Sequence, residues 1–223
     1  MPARRLAKQR VDVHLTESAC PALLTPILAA FDTPPEGEDP LDRHQEMFGL
    51  LWGHIQYDPE MDNPRVIISQ VTVDARASMS GNGLTPSNRF LTRSTDLIQR
   101  FWPELTLVGT FHALPDEKVA EAGGGYHAAL SEPGFYPRVH SWYQPLFPTM
   151  AHLIITIASS GIPHLHPSSS GKRSHGGYQL SIDNKKLWMR CYSTQQIQPG
   201  IKPVTRMANL RAAALAERFQ EDQ

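Results

Sequence analysis

The sequence predicts an α+β fold of α/β-like character, a mixed β-sheet flanked by helices. Two patterns carry that expectation. Apolar runs with period-two alternation recur along the chain, clearest at Val66 to Val73. Between and after them lie stretches with apolar residues at helical spacing, Glu17 to Phe31 and Arg206 to Phe219. The resulting order is strand, helix, two strands, helix, strand, long loop, strand, hairpin, helix, with no internal repeat.

Val11 to Leu15 alternates and reads as the first strand. The following helix carries Ala19, Leu23, Leu24, Ile27, Leu28 and Phe31 on its stripe. Thr16 is its candidate cap, and Pro26 is expected to kink or shorten it. Asp32 to Arg43, rich in Pro and acid, is a loop. Met47 to Gln56 and Val66 to Val73 are strands joined by a hairpin loop over Tyr57 to Pro64. Ala75 to Asn88 is irregular. A helix capped by Ser94 or Thr95 runs to Phe101 and stops at Pro103. Leu105 to Phe111 is a strand whose end presents His112 to solvent. Asp116 to Tyr136 is a long loop around Gly123-Gly124-Gly125, and a short helix is expected within His140 to Met150. His152 to Ser159 is a buried strand, and Gly161 to Gly177 a second loop. Tyr178 to Ile182 and Lys186 to Ser193 form a hairpin across Asp183-Asn184.

Composition bounds the function classes. A chain of 223 residues with 40% apolar residues can bury a full core. The expected organisation is a tail over 1–10, one domain over 11–200 and a C-terminal helix over 201–223. A formal net charge of −1 argues against a general nucleic-acid binder, although Arg89, Arg93, Arg100, Lys172 and Arg173 could form a basic patch. No apolar run approaches membrane-spanning length, and the first fifteen residues lack the apolar core of a signal peptide. The two cysteines, Cys20 and Cys191, form no metal-type pair. A reducing compartment, most simply the cytoplasm, is expected.

Two stretches carry the chemistry. Glu46 opens Glu-Met-Phe-Gly-Leu-Leu-Trp-Gly, and Val108 opens Val-Gly-Thr-Phe-His-Ala-Leu-Pro. Together they resemble the JAB/MPN family, the domain of JAMM zinc metallo-isopeptidases that cut isopeptide bonds to ubiquitin and related modifiers. In that family a Glu precedes an apolar Gly-containing strand, and the zinc site is H-x-H-P followed by S-x-x-D. The resemblance covers roughly Val11 to Ser193. It implies a JAB/MPN-type sheet with cytidine-deaminase-like architecture. It makes Glu46 the general base that holds a metal-bound water, His112 a zinc ligand and Ser131 an oxyanion helper.

The ligand set departs from the family pattern. Leu114 stands where the second His belongs. At the usual spacing S-x-x-D is absent; with an insertion Ser131 is retained and Gly134 replaces the Asp. Asp116, Glu117, Glu121, His127 and Glu132 are the loop residues that could supply replacement ligands. His164-Leu165-His166-Pro167 repeats H-x-H-P literally, but lacks the Val-Gly lead-in and reads as surface loop. His127, His164 and His166 are therefore the additional metal candidates. The resemblance implies a pseudo-isopeptidase acting as a binding or scaffolding module. Its partner would be a ubiquitin-like modifier or another JAB/MPN domain, and a homodimer is a further arrangement it allows. The alternative is an active zinc peptidase with a rearranged ligand set.

Overall fold

The structure, a computed structural model, describes residues 10–32, 46–57, 64–74, 78–80, 83–85, 87–115, 148–168, 177–196, 201 and 203–218. In chain order the elements are β1 (Asp12–Leu15), α1 (Ala19–Asp32), β2 (Met47–Gln56), β3 (Arg65–Asp74), β4 (Ser78–Ser80), β5 (Gly83–Thr85) and α2 (Asn88–Phe101). They continue with β6 (Thr106–Pro115), β7 (Thr149–Ser168), β8 (Gly177–Gln195), β9 (Val204–Met207), β10 (Asn209–Arg211) and α3 (Ala213–Arg218).

The α+β, helix-flanked sheet expected from the sequence is not what forms. The protein is mostly β. Eight strands build one nearly closed, barrel-like sheet in the order β10-β1-β3-β2-β6-β7-β8-β9, and β4 and β5 pair separately. Strand β1 runs parallel to β3 and β10, and β6 parallel to β7; the remaining neighbours in the large sheet are antiparallel.

The near-closure has a direct cause in the chain path. β9 and β10 lie at opposite ends of the strand order yet are separated by Ala208 alone. The Ala208 N–H donates to the Cys191 carbonyl at 3.0 Å, and the Asn209 N–H to the Val11 carbonyl at 2.9 Å. One residue thus steps from the β8 side to the β1 side. Side chains reinforce the step. Asn209 Nδ2 donates to Asp12 Oδ1 at 2.9 Å, and the Tyr178 hydroxyl accepts from the Ala212 N–H at 2.9 Å. Leaving few free edges removes the unpaired N–H and C=O rows that invite foreign strands.

Several local expectations are corrected here. The segment predicted as a C-terminal helix supplies β9, β10 and only six residues of helix. Of its stripe, Leu210 and Leu215 are buried and Met207 and Ala214 partly buried, but by sheet edges as well as a helix. The predicted hairpin at Asp183-Asn184 is the middle of one continuous strand, β8, paired along its length with β7. Asp183 takes φ 52 there, which a short polar side chain tolerates, so a turn signal marks an irregularity inside a strand. β7 continues to Ser168 through the segment read as a loop. Helix α2 begins at Asn88, capped by Ser87, whose Oγ accepts from the Phe90 N–H at 3.3 Å; Ser94 is buried within it. The stretch read as irregular contains β4 and β5. α1 runs through Pro26 to Asp32. The Gly123–Gly125 run and the short helix expected after His140 fall outside the described residues, except for Pro148 to Met150.

Alternation divides the sheet into two apolar faces. Along β7, Ala151, Leu153, Ile155 and Ile157 join a cluster with Leu23, Leu24 and Ile27 of α1 and Leu215 of α3. Met150 and Ile154 join the opposite cluster, with Phe48, Leu50, Trp52, Leu107, Leu114 and Ile98 of α2. Both faces are therefore core, which explains the near-continuous apolar character of β2 and β7. Bulges bend the sheet where β2 meets its neighbours: the register with β6 shifts between Leu51 and Trp52, and with β3 between Trp52 and Gly53. A Cβ at Gly53 would overlap the Ile67 carbonyl, and one at Gly109 the Ala151 carbonyl. The obstacle in each case is backbone, which cannot rotate away.

Gly53→Val and Gly109→Val are therefore expected to lower stability by roughly 2–4 kcal/mol each, the range of overpacking and strain in a core. Urea unfolding followed by tryptophan fluorescence measures this. A midpoint unchanged in both variants would contradict the close backbone approach.

Candidate functional site

Glu46 immediately precedes β2, and His112 lies within β6. The two strands are antiparallel, with Phe48 opposite His112 and Met47 opposite Ala113. Glu46 therefore falls diagonally beside His112 on the face that also holds Phe48 and Leu114. Its Oε2 lies 2.7 Å from His112 Nε2. The His112 side chain is 9% exposed and that of Glu46 24%. With the carboxylate ionised, Nε2–H must be the donor, which sets the imidazole tautomer and orientation. The arrangement can position a ring and hold or pass a proton between Nε2 and Oε2.

His112 was expected at a strand end facing solvent. It is instead inside a strand that continues to Pro115, and it is buried. Its neighbours on the same face are largely apolar. Leu114, at the position where the resemblance places a second His, packs in the cluster with Phe48, Leu50 and Ile154. The zinc ligand set implied by the resemblance is thus not matched by these residues. Nε2 of His112 is engaged by Glu46, and a core leucine fills the next ligand position. No group of three His, Cys, Asp or Glu side chains able to hold a metal occurs among the described residues.

The remaining candidates divide in two. Ser131 and His127 lie outside the described residues, as do Asp116, Glu117, Glu121, Glu132 and Gly134. His164 and His166 lie on β7, and His164 is in register with Asp183. Ile154, the β7 neighbour of His112, is in register with Arg190. Along β8 those two partners are seven positions apart, roughly 23 Å at the usual rise per residue. The structure brings Glu46 and His112 together and leaves the literal His-x-His-Pro far along the sheet.

Sequence reasoning missed a second polar group on the same face. Thr110 Oγ1 lies 2.9 Å from His152 Nδ1, and His152 Nε2 lies 2.7 Å from Thr194 Oγ1. This buried row crosses β6, β7 and β8, with Thr110 opposite His152 and two residues from His112. Both ring nitrogens are engaged by hydroxyls, which can donate or accept as the tautomer requires. The available signal was a His inside the apolar run from Met150 to Ile157, whose Thr partners are distant in sequence. Arg190 stands further across the same face and donates from Nη1 to the Tyr192 hydroxyl at 3.4 Å.

Neither cysteine belongs to this face. Cys20 and Cys191 both sit in the cluster around α1. Burial pushes the Cys20 thiol up to about 11 and the Cys191 thiol up to about 12, so neither is a ready nucleophile at neutral pH. His14, on the opposite side of the closure, is pushed down by burial and then by Arg65 and Arg211, against a smaller upward pull from Asp12.

No protein-family model matches this chain, and no curated protein matches it. No helix among the described residues is long and apolar enough to cross a membrane.

Two outcomes follow from this geometry. A double-mutant cycle of Glu46→Gln and His112→Ala is expected to give a coupling of about 0.5–1.5 kcal/mol, the range for a half-buried hydrogen-bonded pair. Strict additivity in chemical denaturation would contradict the contact. For Cys191 the native thiol keeps its proton to about 12 against an ordinary value of 9.0. Its contribution is therefore full below pH 9. As pH rises further the unfolded chain loses a proton that the native state retains, so stability falls by about 1.4 kcal/mol per pH unit. Cys191→Ala should flatten that alkaline slope in urea midpoints taken between pH 8 and 11.

Proposed function

We propose that this protein is a non-catalytic binding module, a pseudo-isopeptidase related to the JAB/MPN family by its site residues, working in the cytoplasm. The observation that carries the reading is the 2.7 Å contact of Glu46 with His112 beside a buried Leu114. The two residues that the resemblance makes base and ligand are adjacent in space although 66 positions apart in sequence. The site and not the architecture supports the relation, since the helix-flanked sheet expected with it does not form. With Leu114 in the core and Glu46 bonded directly to His112, the pair serves to orient and rigidify the end of β6. A ubiquitin-like modifier or a second JAB/MPN-type domain is the partner class this reading favours.

Metal content of untagged protein, purified without chelator and measured by inductively coupled plasma mass spectrometry, tests the reading. Zinc well below one per chain is expected, with no change in His112→Ala and no cleavage of isopeptide-linked ubiquitin. About one zinc per chain, lost in His112→Ala together with such cleavage, would replace this reading with that of an active zinc isopeptidase using Glu46 as base.

A further inference from the structure

β10, β1 and β3 lie side by side in parallel, so their side chains fall in cross-strand rows. Val11, Val13, Val66 and Leu210 are core residues, and strand alternation turns Asp12, His14, Arg65 and Arg211 to the other face. One row reads Asn209, Asp12, Arg65. The next reads Arg211, His14, Ile67. Neighbouring positions in a row are about 4.8 Å apart. Arg211 therefore stands directly beside His14, and Arg65 one step diagonally from it. Cations set opposite one another in a sheet repel. The repulsion registers on the imidazole: after burial, Arg65 and then Arg211 hold His14 below its ordinary pKa, and Asp12 only partly offsets them.

Asp12 is the single carboxylate in the two rows, and it is already engaged. Its Oδ1 accepts from Asn209 Nδ2 at 2.9 Å and lies 3.8 Å from Arg211 Nε, a long ion-pair distance. Arg65 makes no ion pair among the described residues. Its Nε and His14 Nε2 are both shut off from solvent without a hydrogen-bond partner. The Arg211 side chain is 49% exposed, so the group is open from the β10 side. Two guanidiniums against one engaged carboxylate leave a local positive excess in a chain whose formal net charge is −1. That excess is confined to two rows on three strands, the scale of one small anion and not of a polymer. Guanidinium forks match phosphate oxygens, and donors placed on both sides of His14 suit a tetrahedral anion better than a planar carboxylate.

We propose that the Arg65–His14–Arg211 cluster is a binding site for a phosphate-class anion, free or as the monoester of a small molecule, gripped by the two guanidiniums. Asp12 is a positioning residue that holds Arg211 beside His14. The anion supplies the negative charge that His14 lacks. It favours the imidazolium, so binding raises the His14 pKa. Among the described residues the charged groups acting on His14 are Arg65 on β3, Arg211 on β10 and Asp12 on its own strand; His54 on β2 lies beyond Ile67 in the same row. The inference uses neither Glu46 nor His112 and needs no metal.

Nuclear magnetic resonance of the full chain during titration with inorganic phosphate at constant ionic strength is the test. The His14 ring resonances are identified by their loss in His14→Gln. A saturable shift and an upward move of the His14 pKa are expected, with no matching response to chloride. Arg65→Gln and Arg211→Gln should each weaken binding roughly tenfold, the scale of one lost charge-assisted hydrogen bond. Without phosphate their melting midpoints should stay at or above that of the parent, because each removes a repelling cation, which a merely structural role would not give. Sulfate, whose charge does not change near neutrality, should bind more tightly as pH falls, and His14→Gln should remove that pH dependence while binding remains. Glycerol phosphate distinguishes the sources: tighter binding than phosphate marks a monoester ligand, equal binding the free anion, and both support the site. A His14 signal that ignores phosphate would overturn the proposal, as would binding untouched by either arginine variant. If phosphate failed to bind while a double-stranded oligonucleotide bound and Arg65→Gln abolished that binding, the face would belong to a polyanion and the proposal would fall.

Discussion

The architecture depends on a one-residue step. At Ala208 the chain leaves the strand paired with β8 and enters the strand paired with β1, and both flanking backbone hydrogen bonds are made. A sheet whose two ends are joined by so short a link must curve, and the curvature has to be absorbed somewhere. It is absorbed at the bulges of β2, where Gly53 and Gly109 let backbone approach backbone. Closure, bulges and glycines are one constraint seen at three places.

That constraint also places the polar groups. Strand alternation puts Glu46, His112, Thr110 and His152 on one face and sends both cysteines to the other. Buried polar groups must be satisfied, and here the partners come from elsewhere in the chain: Glu46, just before β2, for His112, and Thr110 and Thr194 of the neighbouring strands for His152. Such cross-strand bonds are specific to one register, because a slip of one residue would move every side chain to the wrong face. The polar row therefore helps to select the pairing of β6, β7 and β8 as well as to furnish a candidate site.

The glycines of the two motif stretches gain a physical reading that does not pass through catalysis. Gly49 lies where a side chain would collide with the Phe111 ring and the Thr72 carbonyl, and Gly53 and Gly109 lie against neighbouring backbone. Much of the motif is accordingly a device for packing a strongly bent sheet. What it adds beyond packing is the Glu46–His112 contact, which bulk packing does not require and which brings a carboxylate and an imidazole from distant positions into direct contact.

Period-two alternation found β1 and β3, and plain apolar character found β2, each within a residue or so of its ends. Glu46 and His112 were singled out together only by the family resemblance of their two stretches; residue type and spacing alone left each an ordinary structural residue. The rest was decided by contacts at long range. Met207, Leu210 and Leu215 have helical spacing, but two sheet edges offered backbone partners that an isolated amphipathic helix cannot match, and the segment became β9 and β10. Asp183-Asn184 carries turn chemistry, yet the pairing of β8 with β7 on both sides of it held the strand straight through and left only a positive φ behind. Leu114 could be identified from the sequence as the residue in a ligand's place, but only its burial with Phe48 and Ile154 showed that the core owns that position. Local patterning determines which residues want to be buried and at what period. Which partner buries them depends on chain segments up to two hundred residues away, and only the tertiary structure settles that competition.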